Sequence, residues 1–447
     1  MMPHRMVIFF DAHKMLIFFI PFVIYLINGR EISSGDPTPT VFVAVNLVKH
    51  GTVFLDDLRD YIPYHNTPYF VSERMGHIVS NYPVFPGLMA APVFAPFVWL
   101  GMIAPGDGDL VWKYLSKLSG ALYTALSVLG MYLALKRLIS REGALGLAWA
   151  YGLGTALWPV AAQSLWQHGP SVFWWTVCFY ALIRAAETER GRGFSGWAAL
   201  GGTAAGCAVL CRTVNGIGAA GLCLALAVRY GRKAGAFAVP AAGLSAALIL
   251  YNVALFGSWK GGDSVLHALH WELDRMVGSS WSTPLAVGLP GQLISPSRGI
   301  FVFSPFLLFA LWGMAEVWRK PGPVWRLIAW TVPIPVVMWA VFGKYIVWWG
   351  GNSHYGPRYQ IETYPFLMLY LAAVWERLNG QGWLRWGFIL LVGYSVLVQA
   401  IGAFCYPSDW AVAPVDITED KGRLWDWSNN QIWSCLRSGI KGYQWSG

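Results

Sequence analysis

Residues able to do acid–base or anion chemistry are sparse in this 447-residue chain, and they gather at the ends of apolar runs. Asp36 stands in Ser33-Ser34-Gly35-Asp36-Pro37, just past the first apolar run. A carboxylate there lies near a membrane boundary, partly shielded from water, where its pKa is expected to rise toward the range of a general base. The same Ser-Gly-Asp-Pro string precedes residues 41–48 and is also a helix N-terminal signal, so capping is the competing use of Asp36. Asp56-Asp57 with Asp60 could share a metal ion or form a solvated turn with Arg59, and His50, His65 and His77 match no ligand spacing. His267 and His270, followed by Trp271, Glu272 and Asp274, are placed to meet on one helix face. His168 is pinned in Ser164-Leu165-Trp166-Gln167-His168-Gly169-Pro170, a very short turn between two apolar runs.

The cations are the stronger signal. Arg298 lies in Ser295-Pro296-Ser297-Arg298-Gly299, directly before an apolar run. Arg358 lies in Asn352-Ser353-His354-Tyr355-Gly356-Pro357-Arg358-Tyr359, again directly before one, and Arg212 follows another. A charge within the apolar slab costs roughly 2.5–3.5 kcal/mol on insertion scales, so it faces a partner or a cavity. The planar donor fork of arginine suits phosphate; the competing use is snorkelling at helix ends. His354, Lys260 and Tyr82 sit among the same loops.

The elements that must position these residues follow from composition. The chain is 56% hydrophobic and 12% charged, against about 25% charged in soluble domains, which makes it an all-α polytopic membrane protein. Apolar runs near 10–29, 114–135, 143–162, 170–185, 196–212, 215–230, 235–256, 300–318, 326–342, 362–376 and 384–404 give about eleven transmembrane helices. The basic residues set their orientation. With 84–104 as a re-entrant or interfacial helix, Lys136-Arg137, Arg184, Arg232-Lys233, Arg319-Lys320 and Arg377 all fall on the side of the N-terminus, which is therefore cytoplasmic. The polar material then shares the opposite face: the loop 29–113, the turn Gln163–Gly169, the loops 257–299 and 343–361, and a Trp-rich tail, 405–447. The transmembrane domain is 1–404. Met15–Asn28 resembles a signal-peptide core without a clean cleavage site, so an uncleaved first helix is expected.

No GxxxxGK[ST] or strand-linked GxGxxG occurs, which leaves no nucleotide site, and the distribution of the basic residues speaks against nucleic acid. The six cysteines read as apolar fillers, except that Cys405 and Cys435 could form a disulfide.

Taken together these stretches resemble the GT-C superfamily of membrane glycosyltransferases, including its protein mannosyltransferase-like and aminoarabinose transferase-like families. The likeness lies in Ser-Gly-Asp36 after the first span and in Asn81-Tyr82-Pro83-Val84-Phe85-Pro86-Gly87 opening a juxtamembrane helix. It continues in Cys211-Arg212-Thr213-Val214-Asn215, Tyr251–Ser258, Pro296–Phe301 and Tyr355-Gly356-Pro357-Arg358-Tyr359. The resemblance implies juxtamembrane helices over a groove and Asp36 as catalytic base. It also implies a polyprenyl-phosphate-linked sugar donor and a glycan, lipid or protein acceptor. The lone Asp36, where larger members carry a paired acidic motif, implies chemistry needing neither a metal nor another cofactor. Arg298 and Arg358 are expected to hold the phosphate, with Arg212, His168, Lys260, His354 and Tyr82 as further substrate contacts. Tyr61, Tyr64, Tyr69, Tyr82, Trp348 and Trp349 either stack on sugar faces or anchor the boundary. The expected location is the bacterial inner membrane, with the site extracytoplasmic. A transporter or flippase is the rival reading; it calls for polar groups facing both sides, and here they concentrate on one. An alkaline phosphatase fusion after residue 139 is expected to be inactive, and activity there would make 84–104 a span.

Overall fold

The computed structural model describes residues 14–61, 68–103, 110–189, 191, 193–266 and 280–442, without the side chains of residues 60 and 61. Its helices are α1 (Lys14–Leu26), α2 (Thr38–His50), α3 (Phe85–Trp99), α4 (Leu110–Leu135) and α5 (Arg141–Leu153). Then come α6 (His168–Glu187), α7 (Phe194–Cys211), α8 (Asn215–Tyr230), α9 (Gly235–Phe256) and α10 (Leu285–Ile294). The last are α11 (Leu308–Glu316), α12 (Pro323–Trp330), α13 (Pro333–Lys344), α14 (Tyr364–Gly380), α15 (Gly382–Cys405) and α16 (Gln431–Ser438).

Among the described residues, five stretches are long and apolar enough to cross a membrane: α4, α7, the α8–α9 pair, α12–α13 and α15. Several expected spans are shorter or broken. The run 300–318 is a short helix, Ile300–Phe303, then the 3-10 turn Pro305–Leu307 and α11, because Pro305 lacks the amide that would continue the first helix. The run 143–162 ends as α5, and Leu157–Ala161 forms a separate π-turn around Pro159. Between α8 and α9, Gly231 takes φ 55°, ψ −129°, a conformation that side chains avoid. Helix α10 lies in a stretch read from sequence as plain loop.

The all-α expectation also misses one element. Val71–Arg74 (β1) and His77–Ser80 (β2) pair antiparallel, Val71 opposite Ser80. Met75 (φ 52°) and Gly76 (φ 80°) make the turn, and two positive φ values are what a tight two-residue hairpin requires. The hairpin packs on α2 and α3, which rest on each other through Val41, Ala44 and Val45 against Ala90 and Phe94. At their crossing a Cβ on Gly87 would lie 2.7 Å from the Thr40 carbonyl oxygen, so only glycine allows this approach. At 15 residues, with Pro92 and Pro96 inside it, α3 falls short of the roughly 20 residues that cross a bilayer.

The centre of the fold is α14. Every residue from Ile361 to Val374 is buried, as befits a helix apolar on all sides. Phe366 packs against Trp175 and Phe179 of α6, with centroids 5.2 and 4.7 Å apart. The 3-10 turn that leads into it, Arg358–Thr363, carries two of the charged residues described below.

The Trp-rich tail is not a separate body. Trp410, Ile417 and Leu424 pack on Trp348 and Trp349, and Arg298 is the peg between them. Its guanidinium, 2% exposed, donates from Nε to the Trp349 carbonyl (3.0 Å) and from Nη2 to that of Gly351 (3.2 Å). Its Nη1 donates to the Ser297 carbonyl (2.9 Å) and to Gln431 of α16, and its plane faces Trp410 at 5.5 Å. Cys405 and Cys435 are free thiols, so the expected disulfide is absent. Replacing Arg298 by Ala leaves these buried acceptors unpaired, at about 1–3 kcal/mol for each unmet group. A lower melting temperature and faster proteolysis of the tail are expected, and an unchanged protease pattern would remove Arg298 from this role.

Candidate active site

Asp36 is held by two distant parts of the chain. Its Oδ1 accepts from the Tyr69 hydroxyl at 2.7 Å, and its Oδ2 accepts from Arg358 Nη1 at 2.7 Å. The Tyr82 hydroxyl adds a third hydrogen bond. Helix α2 is capped by Pro37 with no side-chain cap bond, so the capping use of Asp36 falls away. Tyr69 reaches Asp36 because residue 35 is glycine: a Cβ there would lie 2.6 Å from the Tyr69 oxygen. The hairpin sets Tyr69 in turn, with Asn81 Nδ2 donating to the carbonyls of Tyr69 (2.8 Å) and Val71 (3.0 Å).

Burial pushes the Asp36 carboxyl up, but Arg358 and the tyrosine hydroxyls more than offset it, leaving it below the usual carboxylate range. This reverses the raised pKa expected from sequence. The reason is tertiary: the guanidinium beside it arrives from 322 residues away. Arg358 is raised well above the ordinary arginine value, Asp36 overriding the effect of burial. Its plane faces Trp166 at 5.0 Å and Tyr359 at 5.5 Å.

A second charged group stands nearby. Glu362, fully buried, accepts from Arg212 Nη1 at 2.5 Å and from His168 Nδ1 at 2.8 Å. Arg212 is placed by Asn215, whose side chain joins the Ala208 carbonyl (2.7 Å), Ser171 Oγ (2.8 Å) and Trp175 Nε1 (2.9 Å). Sequence reading took Glu362 for the start of a span. A carboxylate opening an apolar helix is itself a sign of a partner in the slab.

These groups share one cavity of about 1050 Å³. Ser34, Asp36, Tyr69, Tyr82, Trp166, His168, Arg212, Lys260 and Arg358 line its polar part; Ile217, Ala220, Ala241, Leu248, Val341 and Phe342 line its apolar part. Asp36, Tyr82, His168, Arg212, Lys260 and Arg358 are thus brought together, and two expected contacts are not. Arg298 spends its donors on the tail and does not line the cavity, which corrects its expected phosphate role. His354 is buried behind the wall, beneath Gly350, and burial with Arg298 and Arg358 nearby holds it neutral.

Of the remaining acid–base candidates, those with described side chains pair with one another, and the Asp60 side chain lies outside the described residues. Asp57 takes Lys49 (2.9 Å) and His50 (3.0 Å), and Asp56 takes His77 (2.6 Å). Among the described residues no three His, Cys, Asp or Glu side chains converge as metal ligands would. His65, Tyr64, His267, His270, Trp271, Glu272 and Asp274 lie outside the described residues, as does the Tyr61 side chain.

One further carboxylate matters to position. Glu31 accepts from Ser116 Oγ (2.6 Å) and Ser164 Oγ (2.7 Å), which, with the Ile32 amide on the Gln163 carbonyl (3.2 Å), ties the segment leading to Asp36 to the turn that carries His168.

No protein-family model and no curated protein matches this sequence. Solved structures do match. The Archaeoglobus fulgidus oligosaccharyltransferase, in complex with zinc and sulfate, superposes with a TM-score of 0.55 and 12% identity, covering 96% of this chain and 59% of its own. The same protein tethered to an acceptor peptide gives 0.53 and 12% over 93% and 60%. In complex with an inhibitory peptide and a dolichol-phosphate it gives 0.50 and 12% over 98% and 62%. The chain therefore shares the fold of this oligosaccharyltransferase, and it spans about three-fifths of the length of these solved structures.

The two carboxylates give opposite pH responses. Burial pushes Glu31 up to about 7, so its contribution to stability is complete below the unfolded carboxylate value of about 4.3 and is lost as pH rises through 7. Asp36, depressed, contributes above about 3.9, and that contribution is lost as pH falls through its lower folded value. Glu31→Gln should flatten the fall in melting temperature between about pH 4.5 and 7; the same slope in variant and wild type would refute the assignment.

Proposed function

We propose that this chain is a glycosyltransferase that moves a sugar from a polyprenyl-phosphate-linked donor to an acceptor hydroxyl on the extracytoplasmic face, inverting the anomeric centre. The observation that carries this reading is the Asp36–Arg358 pair lining the same cavity as apolar residues of α8, α9 and α13. A lipid-linked phosphosugar has the same division. Its isoprenoid would lie along α8, α9 and α13, and its phosphate would meet Arg358, Arg212 and Lys260. The acceptor, whether glycan, lipid or protein, would meet Asp36.

In this reading Asp36 is the general base. The acceptor oxygen forms its bond to the anomeric carbon as the bond to the phosphate oxygen breaks, and the acceptor proton passes to Asp36. A carboxylate of depressed pKa suffices because the hydroxyl becomes strongly acidic once its oxygen has begun to bond to carbon. Arg358 then has two uses: it keeps Asp36 ionised, and it draws charge from the departing phosphate. The likeness to a glycosyltransferase fold supports the reading, as does the dolichol-phosphate held by one of those solved structures. Eleven spans, with the N-terminus in the cytoplasm of a bacterial inner membrane, complete it.

Purified protein given undecaprenyl-phosphate-linked hexoses tests the proposal. Asp36→Asn should insert and bind the donor yet lose transfer by at least about 10²-fold, the order of general-base catalysis. Transfer at the wild-type rate would sink the role of Asp36.

A further inference from the structure

Resting on the glycosyl-transfer reading, the arrangement of His168, Glu362 and Arg212 says more about the donor than that it carries a phosphate. Glu362 binds Arg212 through one oxygen and His168 through the other. With a guanidinium 2.5 Å away, the carboxylate is ionised and can only accept. The hydrogen between His168 and Glu362 therefore belongs to Nδ1, and the 3.2 Å approach of Arg212 Nη1 to the same nitrogen is a packing contact. A second proton on the ring would add a cation to a site 3% exposed that already holds Arg212 and, against the same Trp166 ring, Arg358. Its one carboxylate is shared with Arg212. The imidazole is neutral.

A neutral imidazole with its proton on Nδ1 presents a bare lone pair at Nε2. His168 lines the cavity with Nδ1 turned to Glu362, so Nε2 is the nitrogen on the cavity side. That nitrogen repels a phosphate oxygen, which is also an acceptor, and so the direct phosphate contact expected of His168 is disfavoured. It suits a hydroxyl. Arg212 and Arg358, which line the cavity together with His168, are the arginines assigned to the phosphate, and the polar group bonded to that phosphate is the sugar.

We propose that His168 is a specificity-determining residue that accepts a hydrogen bond from a hydroxyl of the donor sugar, with Glu362 as the positioning residue that fixes its tautomer. Such a contact discriminates strongly, because a buried acceptor left unpaired by a sugar lacking that hydroxyl is costly.

The test compares two lipids on the full chain in detergent: undecaprenyl phosphate, which has no sugar, and undecaprenyl phosphate linked to glucose, mannose or galactose. His168→Ala should still bind bare undecaprenyl phosphate, which reports an intact fold. For at least one sugar-linked lipid its affinity should fall about tenfold. His168→Gln, whose amide oxygen can accept, should recover part of that loss. The proposal is overturned if His168→Ala weakens both kinds of lipid alike, since that marks a phosphate or structural role, or if it weakens none of the sugar-linked lipids. Failure of the wild-type protein to bind either kind of lipid is a different result: it removes the glycosyl-transfer reading itself, and this inference with it.

Discussion

The Asp36–Arg358 ion pair is the contact on which the rest of the site depends. It joins the first loop to the turn that opens α14, 322 residues apart. Neither partner tolerates its place alone. Arg358 is 12% exposed and Asp36 16% at the side chain, and a buried charge that loses its partner typically costs several kcal/mol. The hairpin that sets Tyr69, the glycine at 35 that lets it approach, and Trp166 beneath Arg358 all serve this one geometry. Tyr69 adds a hydrogen bond and Trp166 a ring face to a pair that is mostly shielded from water.

A second constraint is the placing of charge around a buried helix. α14 can be apolar on every side only because its polar chemistry is held in the preceding turn. There Arg358 looks to Asp36, and Glu362 looks to Arg212 and His168. Asp36, Arg358, Arg212 and His168 line one cavity, and the Trp166 ring lies near both Arg358 and His168. Each pairs one cation with one anion, so these buried carboxylates are satisfied. That pairing leaves neither group with an unpartnered buried charge.

Arg298 shows how the same residue type can serve either purpose. From sequence it is indistinguishable from Arg358: both precede apolar runs on the same face. The difference lies in what surrounds them. Arg298 meets backbone carbonyls from the 343–361 loop and Gln431 from the tail, and it becomes the peg that fastens the tail. Arg358 meets a carboxylate at a cavity wall.

The sequence by itself determined the helical, membrane type of the chain, because composition and run length follow directly from the cost of burying charge and open backbone in lipid. It also pointed to loops that line the cavity, since a charge beside an apolar run needs a reason wherever it occurs. Asp36, Arg212 and Arg358 were legible in that way. Only the tertiary structure decided which charges meet. It depressed Asp36 instead of raising it, added Glu362 to Arg212 and His168, and withdrew Arg298 and His354 from the cavity. It also made a hairpin from Val71–Ser80, whose turn, Met75-Gly76, gave little warning in a chain otherwise read by helical runs. The physical reason is the same in each case. A side chain's intrinsic chemistry is local, but its pKa, its free donors and its use depend on partners that the fold brings from hundreds of residues away.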